Sequence, residues 1–455
     1  MRQAFVERLS RRLPFFYGWV ILACVCAAGF SRQGPAVATL SIFITPMSAE
    51  FGWTRTEISA AVSVGGILGA LISPFIGTLL DRNGARAVLC FAVLFTGIPL
   101  LLLSLTQSLI FFYLMYCVAR MNFAGPYDLG IYGSIVNWFV RRRAFATAVT
   151  TLALMSGLVV VPMIAHLVMQ ASNWRVAWLA VGATVLVAGF LPIWLLHVRR
   201  PEDIGQLPDG VTAGVTAGVT AGVTAGVTAG ATVGPAAGVV AIDSEAAAAA
   251  SVAVEPAFTR AQALATPAFW LLSLFTLLIY PVQSGISLHQ APLLIERGLD
   301  PAVAAAAVST FALLSGISGF GFGFWPRRIP LRFALALVGA LLTLSSALMY
   351  VTHTALTAYA AAALFGLGMG GLLTMLPIAW AEFFGRASFG AIRGVALSIQ
   401  VSAQAVGPVL SALLWDATGN YDISLLTFMG LSAAALLAAF FARAPADRQR
   451  DVSRS

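Results

Sequence analysis

The sequence predicts an all-α membrane protein of twelve transmembrane helices arranged as two pseudo-symmetric six-helix bundles. Three observations predict it. Apolar residues make up 59% of the 455, charged residues 10%, and mean hydropathy is +0.90, whereas a soluble domain carries about 25% charged residues. Apolar segments of spanning length, about 20 residues each, occur twelve times. A polar stretch divides them six and six. A chain of this composition is not a soluble cytosolic enzyme, a secreted disulfide scaffold or a disordered regulator, because most of its backbone has to satisfy its hydrogen bonds inside lipid.

In chain order, the first bundle occupies 1–198 with crossings near 17–45, 55–80, 87–106, 109–138, 144–170 and 174–197. The first crossing follows Arg2, Arg8, Arg11 and Arg12, and its apolar run outlasts the core of about 7–15 residues of a signal peptide. It is therefore expected to be an uncleaved helix. The second bundle, 263–445, has crossings near 267–293, 302–325, 331–351, 355–383, 389–415 and 421–442, and a tail at 446–455 follows. Between the bundles, 199–262 opens on Arg199-Arg200-Pro201-Glu202-Asp203, carries five copies of Gly-Val-Thr-Ala from Gly210 to Ala229, and then an alanine run, Ala246 to Ala250. Glycine at every fourth position works against a helix, so this segment reads as a flexible cytoplasmic linker. Its end, Phe258 to Leu264, reads as a short amphipathic stretch on the membrane surface.

All 26 basic residues are arginine. With the N-terminus inside, 21 of them fall in inside segments, among them Arg82, Arg86, Arg141, Arg142, Arg143, Arg199, Arg200, Arg260, Arg327, Arg328, Arg332, Arg386 and Arg393. Arg55, Arg175 and Arg297 fall outside. Positive charge in short loops marks the cytoplasmic side, which predicts cytoplasmic termini. A lysine-free chain rich in Ala, Gly and Arg points to high-GC bacterial coding and hence to the bacterial inner membrane. Arginines scattered over seven small segments give no nucleic-acid surface, so the lipid bilayer is the macroscopic partner. Four cysteines without Cys-x-x-Cys and four histidines without His-Glu-x-x-His predict no metal site, and no cofactor is expected.

Between crossings 2 and 3 stands Gly77-Thr-Leu-Leu-Asp81-Arg82-Asn-Gly84-Ala-Arg86, a tight turn able to pair its own charges. This spacing, on the inside of a six-plus-six chain, resembles the signature loop of the major facilitator superfamily. The resemblance implies that Gly77, Asp81, Arg82, Gly84 and Arg86 form a conformational gate. The corresponding loop of the second half, Gly321-Phe-Gly-Phe-Trp325-Pro326-Arg327-Arg328, has Trp325 in place of the acid. Trp138-Phe139-Val-Arg141 and Phe383-Phe384-Gly-Arg386 echo one another, as duplicated halves do.

Tyr17-Gly-Trp19, Glu50-Phe-Gly-Trp53-Thr-Arg55, Asn173-Trp-Arg175 and Thr266-Pro-Ala-Phe-Trp270 further resemble the bacterial oxalate/formate and monocarboxylate transporters. That branch implies an arginine in crossing 8 and, in the oxalate type, a lysine in crossing 11. Neither is present, so oxalate is disfavoured and the anion-binding charge is expected from the first half.

Charge at mid-bilayer is costly, roughly 2.5–3.5 kcal/mol on insertion scales, and marks function. Arg32 lies about 15 residues, or roughly 22 Å, into crossing 1, and its planar fork suits a carboxylate. Arg120 and Asp128 lie in crossing 4, separated by about 12 Å along the axis and roughly 80° around it, so they are not expected to pair. Arg120 reads equally as a substrate or coupling residue and as a structural bond to backbone. Asp128, the only deep carboxylate, is the leading proton carrier, with His289 in crossing 7 as the other candidate. Asn122, Tyr127, Tyr280 and Gln283 could offer hydrogen bonds. Gln400 and Gln404 share a face of crossing 11, opposite Arg32 or against neighbouring helices. Gly366-x-Gly368-x-x-Gly371 fits a dinucleotide fingerprint only literally, since no strand precedes it, and is expected to serve helix packing.

These features predict a monomeric secondary active transporter that is not an enzyme and moves a monocarboxylate-like organic anion by proton symport or anion exchange. The alternatives are efflux of amphipathic compounds, and a transporter-like sensor that binds without translocating.

Overall fold

The computed structural model describes residues 2–210, 256–326 and 328–445; the Gly-Val-Thr-Ala repeat, the alanine run, Arg327 and the 446–455 tail lie outside them. Among the described residues all regular structure is helical. Eleven segments are long and apolar enough to cross a membrane, and two shorter apolar helices, Gly18–Ser31 and Val37–Phe51, together make one more crossing. We number the crossings α1 (Gly18–Ser31 and Val37–Phe51), α2 (Arg55–Asn83), α3 (Ala85–Leu102), α4 (Leu109–Ala124 and Pro126–Trp138), α5 (Arg143–Ala171) and α6 (Trp174–Leu196). The second six are α7 (Pro267–Glu296), α8 (Pro301–Phe322), α9 (Leu331–Tyr350), α10 (Ala355–Phe384), α11 (Phe389–Thr418) and α12 (Asp422–Phe441).

Two crossings expected to be continuous are broken. α1 stops at Ser31 and resumes at Val37 because Gly34 and Pro35 intervene; proline lacks an N–H, and the residue before it is pushed out of the helical region. α4 breaks at Gly125, and Pro126 takes the first position of the new helix, where its missing N–H is harmless. α6 carries a π-turn at Leu186–Phe190. α7, by contrast, runs unbroken through Pro281.

Corresponding helices make the same partnerships in each half. α1 packs on α5, α2 on α4 and α3 on α6; α7 packs on α11, α8 on α10 and α9 on α12. Gly366 and Gly370 serve the α8–α10 contact, where an added Cβ would strike the α8 backbone. The halves meet through α2 against α11 and α5 against α8.

Each half is also tied at the end remote from Arg82, Arg141 and Arg386. In the first, Arg175 at the start of α6 donates to the carbonyls of Ser104 and Thr106 after α3, at 3.0 and 2.8 Å, and pairs with Glu50 near the end of α1 at 2.5 Å. In the second, Arg297 at the end of α7 donates to the carbonyls of Met349, Tyr350 and Thr352 at the end of α9 and pairs with Asp422 of α12 at 2.7 Å. The same triangle of helices is closed twice, with acid and base exchanged. Arg297→Ala leaves three orphaned carbonyls at a helix C-terminus and is expected to destabilise by about 2 kcal/mol, read as a lower thermal midpoint of the detergent-solubilised protein. The exposed Arg82→Ala is the control expected to leave that midpoint unchanged.

Candidate functional site

The break in α1 frees backbone carbonyls, and α4 takes them up. Tyr116 donates its hydroxyl to the Pro35 carbonyl at 3.0 Å, and Arg120 donates Nη1 to the same oxygen at 3.3 Å. Arg120 thus takes the structural bond of its two expected roles. Glycines on α2 let α4 approach: a Cβ on Gly65 would stand 2.6 Å from the Arg120 stem, and one on Gly69 would stand 2.8 Å from Ala124.

The break in α4 turns Asp128 into a first-turn residue of its second helix, where the helix dipole favours an anion. Asp128 is 4% exposed. Its two oxygens face two different arginines: Oδ2 lies 3.7 Å from Arg32 Nη1, and Oδ1 lies 3.4 Å from Arg393 Nη2. Arg393 also donates Nη2 to Gln400 Oε1 at 2.7 Å.

Arg393 corrects the sequence reading. Counted there as an inside loop marker, it is 1% exposed in α11 and faces Asp128 from the second bundle, a buried cation that the sequence reading did not place there. Its head group meets the side chain of Gln400, which starts seven residues or roughly 10 Å along the helix, so the charge is carried deeper than its Cα.

Three positions on these guanidinium groups have no hydrogen-bond partner among the described residues: Arg32 Nε, and Arg393 Nε and Nη1. Summed, Arg32, Arg393 and Asp128 carry one net positive charge in a buried place, and Arg120 beside Arg32 adds another. Buried donors are normally satisfied, so this arrangement favours a small anion with more than one acceptor oxygen. Tyr132 and Tyr280 lie within electrostatic reach of all three groups. Tyr132 donates to the Leu373 carbonyl of α10 at 3.4 Å, a further link between the halves.

The other expected site residues fall at different places. Gln404 donates to Gln283 Oε1 at 3.2 Å, joining α11 to α7. Asn122 points into the first bundle, donating Nδ2 to the carbonyls of Phe95 and Val118 at 3.1 and 2.8 Å, and Tyr127 is fully buried with its hydroxyl toward Thr96. Of the two, Tyr127 lies within electrostatic reach of Arg32. His289 lies between α11 and α12, its Nδ1 3.2 Å from the Tyr421 hydroxyl and its Nε2 3.2 Å from the Pro408 carbonyl. Among the described residues no group of His, Cys, Asp and Glu is arranged to hold a metal.

The turn after α2 does not pair its own charges. Asp81 instead accepts from the backbone N–H groups of Gly390 and Ala391, at 2.9 and 2.8 Å, and so caps the N-terminus of α11; a helix start offers unsatisfied donors that no arginine side chain need replace. Arg86 donates to the Trp194 carbonyl at 3.0 Å, and Arg82 is exposed. Gly84 has φ +83°, a value that favours glycine, and its Cβ would strike the Arg199 side chain. Gly77 and Gly390 bring α2 and α11 together so closely that neither has room for a Cβ. Trp325 donates to the Ile329 carbonyl at 3.1 Å instead of acting as an acid would.

The linker joins this closure. Glu202 pairs with Arg386 across the halves at 2.8 Å, Asp209 accepts from the backbone N–H groups of Val140, Arg141 and Arg142, and Phe258 donates its N–H to the Phe384 carbonyl. The halves diverge away from this end. A Cβ added to Gly323, Gly319 and Gly316 of α8 and its following turn would stand 2.5, 3.2 and 3.9 Å from α5. On α2, Gly77 touches α11 whereas Gly66 has nothing within 4 Å.

A family profile described as Major Facilitator Superfamily matches residues 19–408. Monocarboxylate transporter 6 of Mus musculus is 26% identical over 203 residues, which span 42% of this chain and 42% of that protein. Among solved structures, a crystal structure of a major facilitator superfamily transporter, FucP, in the outward conformation superposes with a TM-score of 0.66 at 10% identity, covering 94% of this chain and all of that one.

Proposed function

The chain belongs to the major facilitator superfamily, and on that premise we propose that it is a secondary active transporter of a small, monocarboxylate-like organic anion. The observation that carries this reading is the buried carboxylate held between Arg32 of one bundle and Arg393 of the other, with three guanidinium positions left for an anion. The arginine-rich end is taken as cytoplasmic on the charge bias of the loops. Contacts between the halves gather at that end, so this arrangement corresponds to a site facing the outer side.

Charge conservation gives the mechanism its form. Arg32 and Arg393 against ionised Asp128 carry +1. An incoming carboxylate takes up guanidinium donors while Asp128 accepts a proton, and the total remains +1. Anion and proton therefore cross together without a change in the charge of the buried site, which spares the loaded carrier the cost of moving an uncompensated charge through lipid. The bond between Asp128 and Arg393 is also a bond between the bundles, so proton and substrate binding act on the contact that rocking must rearrange.

The test is uptake by proteoliposomes of labelled formate, acetate, lactate, pyruvate and benzoate under an inward proton gradient. Accumulation of at least one, reduced about a hundredfold in a folded Arg32→Gln variant as a charged hydrogen-bond partner is lost, is the expected result. Binding without accumulation would make the protein a sensor, and accumulation of hydrophobic cations alone would make it an efflux carrier.

A further inference from the structure

We propose that Phe123 is a positioning residue for the anion site: its ring is shared by the guanidinium groups of Arg32 and Arg120 and holds Arg32 aimed at Asp128. The proposal rests on the anion-transport reading above and adds a residue that the charges alone do not reveal.

Arg32 needs an orienting contact. It terminates the first helix of α1, beside the break, and its link to Asp128 is a 3.7 Å ion pair, longer than a hydrogen bond. Its Nε has no partner. The arm would have wide freedom without a further contact, and a long side chain gives up much entropy when it is fixed. The structure supplies that contact: the Arg32 guanidinium carbon lies over the Phe123 ring, 4.5 Å from the centroid. A cation over an aromatic face is attracted by the ring quadrupole, more strongly when desolvated.

The same ring carries a second cation. Arg120 lies 4.2 Å from the Phe123 centroid, with its Nη1 on the Pro35 carbonyl. Two like charges that share one ring repel each other, and the attraction of each to the polarisable aromatic face offsets part of that repulsion. Arg120 is thereby tethered twice, to backbone and to ring. Arg32 is held by the ring and by a 3.7 Å ion pair in place of a hydrogen bond, so it is the looser of the two and the one able to shift toward an arriving carboxylate while remaining stacked. Phe123 also sits two residues before the α4 break at Gly125, so ring and carboxylate flank the same hinge from its two sides. An aliphatic residue of similar bulk would fill the space without orienting either guanidinium.

The experiment compares wild type, Phe123→Leu and Phe123→Tyr in proteoliposomes, using whichever of formate, acetate, lactate, pyruvate and benzoate the wild type accumulates best. Phe123→Leu is expected to raise KM about tenfold with kcat largely kept, and Phe123→Tyr, which retains the aromatic face, to restore KM. A second readout needs no transport: the rate at which phenylglyoxal modifies Arg32, followed by peptide mass spectrometry, is expected to rise several-fold in Phe123→Leu and to return in Phe123→Tyr. If wild type transports none of the five probes, the transport reading fails while the modification rates still decide the role of Phe123. If Phe123→Leu leaves KM and the modification rate unchanged, or if Phe123→Tyr behaves as Phe123→Leu does, the positioning role is overturned.

Discussion

Arg393→Gln is expected to reduce carboxylate uptake by at least about a hundredfold, the loss that goes with a charge-assisted bond of roughly 3 kcal/mol. Arg393 is the cation that the second bundle contributes to the Asp128 cluster, and two of its nitrogens have no partner. Without it the pair of Arg32 and Asp128 is neutral, and the neighbouring Arg120 is held on the Pro35 carbonyl, so an anion loses both the charge and the donors that Arg393 offers. Removing one partner of a buried pair commonly destabilises by about 3–5 kcal/mol; here Arg32 still faces Asp128, which softens the effect. The double variant Arg393→Gln, Asp128→Asn separates folding from function. It removes both halves of the inter-bundle pair, so its thermal midpoint is expected to recover relative to Arg393→Gln, while proton-driven uptake stays lost because the proposed proton carrier is gone with the arginine. Recovery of uptake in the double variant would mean that Arg393 serves only to neutralise Asp128 and that Asp128 does not carry the proton.

The depth of Arg393 also shows what the sequence conceals. Hydropathy locates a Cα along a helix, and Arg393 is only four residues from the start of α11, beside loop arginines such as Arg386. Its charge, however, sits at the end of a long arm that runs along the helix to meet Gln400. A side chain can carry its head group away from its backbone depth, as snorkelling arginines do toward water; this one does so toward the protein centre. The arginines outside the positive-inside pattern were similarly opaque. Arg175 and Arg297 are structural ties to carbonyls of α3 and α9, and their partners lie 52 to 125 residues away in the chain.

Other features were legible because their causes are local. The six-plus-six layout follows from apolar run length, and the tight charged turn after α2 from the spacing around Asp81. The residues that break α1 and α4, Gly34-Pro35 and Gly125-Pro126, were in plain view. Their consequence was not, since an ideal helix through Gly125 fixes the angle between Arg120 and Asp128, and the break changes the direction of everything after it. Asp128 consequently faces Arg32 and Arg393, partners that no single-helix geometry could supply.

Asp128→Asn is expected to abolish accumulation driven by a proton gradient while sparing exchange of internal for external carboxylate. With the carboxylate gone, Arg32 and Arg393 carry +2 and no group at their centre can take a proton as the anion binds. The anion should be held more tightly, with KM lowered about tenfold, and should leave only when another anion replaces it. In wild type, lowering the external pH supplies the proton and should speed net uptake; in the variant, the rate should be flat over the same pH range. Exchange measured at equal pH on both sides reports that the bundles still rock, so loss of coupling is separable from loss of folding. If Asp128→Asn still accumulates carboxylate against its gradient, Asp128 is not the proton carrier. His289, whose two ring nitrogens face Tyr421 and Pro408 near the opposite end of the second bundle, would then become the group to replace. It is remote from both arginines, so protonation there could act only through the packing of α7 against α11 and α12, and the coupling of proton to anion would have to pass through helix movement instead of through shared charge.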